Sequence, residues 1–167
     1  MYKIRLKTLH DTAVFANHLA QEIAGGQVFF LNGDLGVGKT ALVKAIGQSL
    51  GIDASLIQSP TFTYFNLFED IKNGPALFHA DLYRLEHYDS LHNIGFWDYC
   101  ENPEYVAFIE WANKFEQLSH LERFDIFFQF ASTSSERIII FDAFGLKYKK
   151  IHEKIKNALS DHGLDIL

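Results

Sequence analysis

The stretch Val28–Gly47, "VFFLNGDLGVGKTALVKAIG", sets an apolar run of strand character directly ahead of three closely spaced glycines, a lysine and a helical pattern. Gly33, Gly38, Lys39 and Thr40 satisfy the spacing G-x-x-x-x-G-K-[ST], and the flanks supply the context this motif needs, a strand before it and a helix beginning inside it. Such a loop wraps its backbone N–H groups around phosphate oxygens, so side chains at Gly36 or Gly38 would obstruct the ligand. Lys39 is expected to reach the β- and γ-phosphates and Thr40 to offer its hydroxyl to Mg2+. The N-terminus of the following helix adds free N–H donors and a favourable dipole. Gly33, Asp34, Leu35, Gly36, Val37, Gly38, Lys39, Thr40 and Ala41 together form the expected nucleotide cradle.

Outward from this loop, "YKIRL" alternates like a strand, and "DTAVFANHLAQEIAGG" has helical spacing, with Asp11 as the candidate N-cap and Gly25-Gly26 as the stop. The helix after the loop is expected to end at Gly51. "FTYFNLFE" and "ALFHADLY" read as strands joined by a turn around Asn73-Gly74-Pro75, and "VAFIEW" as a buried strand of parallel-sheet character. Residues 84–100 are expected to be helical. "FDIFFQF" and "RIIIFDAFG" suggest an antiparallel pair around a Ser/Thr-rich turn, and a basic helix follows at about 147–162. The pattern predicts an α/β, P-loop NTPase-like three-layer fold, with a mostly parallel central sheet and antiparallel strands added. No repeat or low-complexity linker divides residues 1–167, so one domain is expected.

Composition narrows the function. The chain has 167 residues, 48% of them hydrophobic and 15% aromatic, enough for a sizeable core. A formal charge of -6 argues against direct grip on a phosphate backbone, since that affinity comes from clustered Lys and Arg. Cys100 is the single cysteine, the N-terminal segment lacks an apolar signal-peptide core, and no apolar run approaches the ~20 residues of a membrane span. A soluble cytoplasmic protein with no membrane association is expected.

The phosphate loop alone leaves the reaction open. In folds of this class an acidic residue at the C-terminal end of a neighbouring buried strand steadies Mg2+, and "VAFIEW" offers Glu110 while "ALFHADLY" offers Asp81. "NKFE", Asn113 to Glu116, is a poor match to the guanine-reading N-K-x-D. Its acid is Glu, it follows the strand that carries Glu110, and the D-x-x-G sequence "DAFG" comes after it in the chain. Adenine is the expected base. A small-molecule kinase competes, but Arg5, Arg84, Arg123 and Arg137 are scattered and form no arginine-rich lid. The eight histidines show no zinc spacing.

Taken in order, "GDLGVGKT", "SPTFT", "HADLYRL", "NIGFWDY" and "IEWANK" resemble the bacterial TsaE (YjeE) family over roughly residues 1–145. The resemblance implies a P-loop ATPase that binds ATP/ADP with Mg2+ and works with the partner proteins TsaB and TsaD in making threonylcarbamoyladenosine at position 37 of tRNA. The tRNA would be met only indirectly, through that complex. Carried over by residue, Lys39 is the phosphate lysine, Thr40 the metal threonine and Glu110 the acid of the buried strand. Thr61 resembles a switch threonine that senses the γ-phosphate, and Asp81 a switch acid near the metal or the attacking water. Lys39, Asp81 and Glu110 are thus the expected catalytic residues, and Thr40, Asp81 and Glu110 the expected metal set. Trp111 is similar to a family tryptophan near the nucleotide, while Tyr83 and Arg84 are expected to shape the switch or a partner surface.

Two positions depart from the family pattern. Val37 stands where a small residue is common, with a side chain expected to be free in the loop, and Ala41 lacks a hydroxyl that could touch an α-phosphate. The basic C-terminal helix extends beyond the family core, either as a solvated face or as a contact to tRNA or an acidic partner surface. A nucleotide-gated binding switch with negligible hydrolysis is the alternative from a different functional class.

Overall fold

The computed structural model describes residues 1–131 and 136–167. In chain order, β1 (Tyr2–Leu6) leads to α1 (Leu9–Gln21), β2 (Val28–Asn32), α2 (Lys39–Ser49), β3 (Phe65–Phe68) and β4 (Ala76–Asp81). Two single-turn helices follow, α3 (Ser90–Asn93) and α4 (Trp97–Cys100), and then β5 (Tyr105–Glu110), β6 (Arg123–Phe130), β7 (Arg137–Phe144), α5 (Leu146–Asp161) and β8 (Asp165–Ile166). The strands form one sheet in the order β3-β4-β5-β2-β6-β7-β1-β8. The central four, β4, β5, β2 and β6, are mutually parallel, and antiparallel strands extend both sides, as the fold class expected from sequence requires.

The continuous apolar runs of β2 and β5 arise because both of their faces are covered. Phe29, Leu31, Val106 and Phe108 point into a core closed by α1, α2 and α5. Val28, Phe30, Ala107 and Ile109 point into a second core with Leu91, Phe96 and Cys100 of the α3–α4 segment and Leu118. Helix α5 also braces β2 directly, because the Tyr148 hydroxyl accepts the Val28 N–H at 3.0 Å.

Several expectations need correction. Thr8, not Asp11, caps α1; Asp11 sits at the third helical position and closes a capping box, its carboxylate accepting the Thr8 N–H at 3.1 Å while Thr8 Oγ1 accepts the Asp11 N–H. The helix expected over 84–100 is reduced to two single turns, because Gly95 takes φ 72° and the Phe96 N–H returns to the Leu91 carbonyl, ending the first turn. Strand β3 starts only at Phe65, after Tyr64 takes a left-handed φ of 67°. The two-residue β8, too short to show a pattern in sequence, pairs with β1 through Ile4 and Arg5. The Ser/Thr-rich turn expected between β6 and β7 lies at 132–135, outside the described residues. No helix among the described residues is long and apolar enough to cross a membrane.

Candidate functional site

Three adjacent parallel strands end together on one edge of the sheet. Register places Asp81 of β4 beside Glu110 of β5, and Glu110 beside Leu31 of β2. From Asn32 the chain turns through residues 33–38 into α2, whose N-cap is Gly38 at φ 118° with no side-chain cap. The first N–H groups of α2 are therefore free to meet an anion. Gly33, at φ 131°, is the glycine held by packing: a Cβ there would come within 2.5 Å of the Phe128 carbonyl oxygen. At Gly36 and Gly38 a Cβ would meet nothing within 4 Å, so in the folded chain backbone conformation selects those glycines, and a bound phosphate would supply the steric reason.

The loop opens on a cavity of about 290 Å3 lined by Leu35, Gly36, Gly38, Lys39, Thr40, Ala41, Ser59, Thr61, Asp81, Glu110 and Trp111. The structure thus brings together residues from four separated stretches that sequence reading assigned to one site. Gly33 and Asp34 do not line this cavity; Gly33 is buried and Asp34 exposed, and the carbonyls of both are turned toward Lys39. Val37 departs from expectation: it is 1% exposed and packs into the core beneath the loop rather than standing free.

Lys39 is folded across its own loop. Its Nζ donates to the carbonyls of Gly33 and Asp34, both at 2.8 Å, and lies 4.2 Å from the centre of the Trp111 ring. Burial lowers its pKa, and the carboxylates of Glu110, Asp81 and Asp34 oppose that shift. Trp111, which adopts φ 61° at the end of β5, also packs on Tyr83 with ring centroids 5.0 Å apart. A left-handed conformation at a bulky residue carries a backbone cost, and here it turns the indole to the phosphate loop.

Each carboxylate is held by defined donors. Thr40 Oγ1 donates to Glu110 Oε1 at 2.7 Å, and the same oxygen is 2.9 Å from His79 Nε2. Asp81 Oδ2 accepts from Thr61 at 2.5 Å and from Ser59 at 3.3 Å, while Oδ1 accepts the Tyr83 N–H at 2.9 Å. One hydroxyl and two carboxylates are hard oxygen donors suited to Mg2+, and Thr40 already touches Glu110. Among the described residues no group of three or more His, Cys, Asp or Glu could hold a metal by itself. That composition fits an ion that keeps waters and is completed by phosphate oxygens.

On the other side of the loop, a cavity of about 240 Å3 is lined by Leu6, Thr8, Leu9, Thr12, Gly36, Val37, Gly38, Ala41, Phe128 and Arg137. Arg137 donates from Nε to the Val37 carbonyl at 2.9 Å, tying β7 to the loop. Sequence reading missed Thr8, Thr12 and Arg137, which carry no local signal because they reach the loop from distant parts of the chain. Ser59 and His79 lie inside "SPTFT" and "HADLYRL", so those motifs could have flagged them. In "NKFE" the Asn113 N–H is held by Asn32 Oδ1 at 3.0 Å and Lys114 Nζ by the Tyr83 carbonyl, which engages the segment internally.

Comparison with known proteins gives a consistent result. A family model described as "Threonylcarbamoyl adenosine biosynthesis protein TsaE" matches residues 6–139. The chain is 32% identical over 157 residues to a tRNA threonylcarbamoyladenosine biosynthesis protein TsaE of Bacillus subtilis, covering 93% of this chain and 95% of that protein. It is 36% identical over 115 residues to the TsaE of Synechocystis sp. PCC 6803, covering 68% and 71%. The crystal structure of Bacillus subtilis YdiB has the same fold, with a TM-score of 0.73 at 28% identity over 95% of this chain and 97% of that one. The family match runs from the end of β1 into β7 and spans the phosphate loop, both carboxylates and both cavities, and on these grounds the chain belongs to the TsaE family.

Proposed function

We propose that this protein binds and hydrolyses ATP with Mg2+ in support of threonylcarbamoyladenosine formation at position 37 of tRNA, acting with the partner proteins TsaB and TsaD and meeting tRNA only through them. The observation that carries this reading is the shared edge of β2, β4 and β5, where the phosphate loop, Thr40, Glu110, Asp81 and Thr61 face one cavity. In it the loop N–H groups and Lys39 hold the β- and γ-phosphates, with the Lys39 ammonium leaving its loop carbonyls for phosphate oxygens of greater negative charge. The magnesium ion would be held by Thr40 and Glu110 and would neutralise charge on the phosphates. Asp81, linked to Thr61, orients the attacking water, and Thr61 senses the γ-phosphate. The adenine base occupies the second cavity, against the apolar walls of Leu6, Val37 and Phe128, with Thr8 and Thr12 as polar groups.

Family membership supports the place in tRNA modification, and the four parallel central strands with a loop-capped helix support nucleotide binding. One observation supports the binding-switch alternative: among the described residues no arginine lines the phosphate cavity, and Lys39 is the one cation there. Slow hydrolysis by the isolated chain, and stimulation when TsaB and TsaD dock on the switch segments, follow from this. The deciding experiment measures Mg-ATP binding and phosphate release, with and without the partners, for the parent, Asp81→Asn and Glu110→Gln. Affinity is expected to stay within about tenfold, or 1.4 kcal/mol, while stimulated turnover falls about 100-fold. Full stimulated turnover in either variant would remove that carboxylate from the chemistry. Tight binding with no turnover under any condition would establish the switch instead.

A further inference from the structure

The mechanism just described leaves one polar side chain of β4 unused. His79 is fully buried, between Leu77 and Asp81 on the strand face that lies under the phosphate loop, while its neighbours Phe78 and Ala80 point into the opposite core. It lines neither cavity. Its Nε2 is 2.9 Å from Glu110 Oε1, and its Nδ1 is buried with no hydrogen-bond partner. A buried imidazole with one ring nitrogen unsatisfied is a poor choice for packing alone, because an aliphatic side chain would fill the place without a desolvated polar atom. Its polar contact is with the one carboxylate that also receives Thr40.

A glutamate side chain has three rotatable bonds, and its terminal torsion is broad, so β5 alone does not fix where the carboxylate oxygens of Glu110 point. Two donors on the same oxygen do. From this geometry we infer that His79 is a positioning residue for Glu110: its Nε2–H holds Oε1 on the Thr40 hydroxyl and leaves the second oxygen for the cavity in which Mg-nucleotide binds. The inference rests on the nucleotide reading above and adds a residue to it. The partner that orients a metal-binding carboxylate commonly matters to metal affinity about as much as 10–100-fold.

The test compares His79→Gln with His79→Asn. The glutamine amide nitrogen reaches the region of Nε2 and can donate to Glu110, whereas that of asparagine stops near Nδ1 and cannot. ADP binding is measured by calorimetry with Mg2+ and in its absence, alongside partner-stimulated ATP turnover. Because His79 lines no cavity, Mg-free ADP affinity should match the parent in both variants. The gain in ADP affinity on adding Mg2+ should fall about tenfold in His79→Asn, with KM for Mg-ATP raised by a similar factor and kcat reduced, and should stay within about threefold of the parent in His79→Gln. Equal Mg2+ gains in His79→Asn and the parent would overturn the role, as would equal losses in both variants. A loss of Mg-free ADP binding in the variants would assign His79 to general packing and overturn it as well. A parent that bound no ADP at all would instead remove the nucleotide reading, and this role with it.

Discussion

Gly33 and Lys39 sit six residues apart in one loop, yet substitution should affect them in opposite ways. At Gly33 a Cβ would press on the Phe128 carbonyl in a backbone already at φ 131°, and a backbone atom cannot move aside as a flexible side chain can. Gly33→Ala should therefore destabilise the fold by about 2–4 kcal/mol, measured by urea unfolding. Lys39 Nζ is held by loop carbonyls and lies over an indole, and Glu110 and Asp81 keep their hydroxyl donors Thr40 and Thr61 when it is removed. Lys39→Ala should unfold close to the parent while losing at least about tenfold, or 1.4 kcal/mol, in Mg-ATP affinity. Parent-like Mg-ATP binding by Lys39→Ala would reduce the loop to a glycine-rich turn. Both residues are conspicuous in the sequence, but only the structure separates the glycine needed for packing from those selected by conformation.

Elements place the residues, and α5 is the clearest case of an element whose role its composition conceals. Its lysines are its most visible feature, and Lys147, Lys149 and Lys150 are exposed, as a solvated face requires. Its other face holds the fold: Tyr148, His152, Ile155 and Leu159 are buried, and the Tyr148 hydroxyl accepts the Val28 N–H at the start of β2. Strand β2 leads directly into the phosphate loop, so this helix anchors the site from the opposite end of the sheet. Tyr148→Phe would leave a buried backbone donor unpaired and should cost about 1–3 kcal/mol in chemical unfolding, with nucleotide affinity of the folded protein unchanged. An unchanged unfolding free energy would show that water replaces the hydroxyl. The segment 84–100 makes the complementary point. Its apolar residues are spaced well enough to suggest one helix, yet Gly95 breaks it into single turns that cover the second core.

Across the whole molecule, two buried histidines link stability to pH. Burial lowers the pKa of His152, helped by the N-terminal ammonium and opposed by its bond to the Phe141 carbonyl and by Asp142 and Glu153. Burial, and then His162, lowers that of His18. A base whose folded pKa is depressed binds its proton more readily when unfolded, so the stabilisation is complete above the ordinary value of 6.5 and is lost as pH falls through it toward the folded value. Between about pH 8 and pH 5.5 the unfolding free energy should decline, with His152 contributing a slope of up to about 1.4 kcal/mol per pH unit, and His152→Gln should flatten it. A slope unchanged in that variant would place the acid sensitivity elsewhere. The same distinction between local and distant causes separates what could be read from the chain alone. Its sequence by itself determined the strand, glycine-rich loop and helix around Gly33–Thr40, the α/β class, most of the strands and the places of Asp81 and Glu110 at strand ends, because glycine spacing, burial on both strand faces and strand-end acids are local patterns. Only the tertiary structure decided that Asp81 and Glu110 lie side by side, that Val37 is core, that Arg137 ties a strand a hundred residues away to the loop, and that His79 meets Glu110. Those contacts depend on strand order and register, which are set by how the two faces of the sheet are covered and leave no periodic trace along the chain.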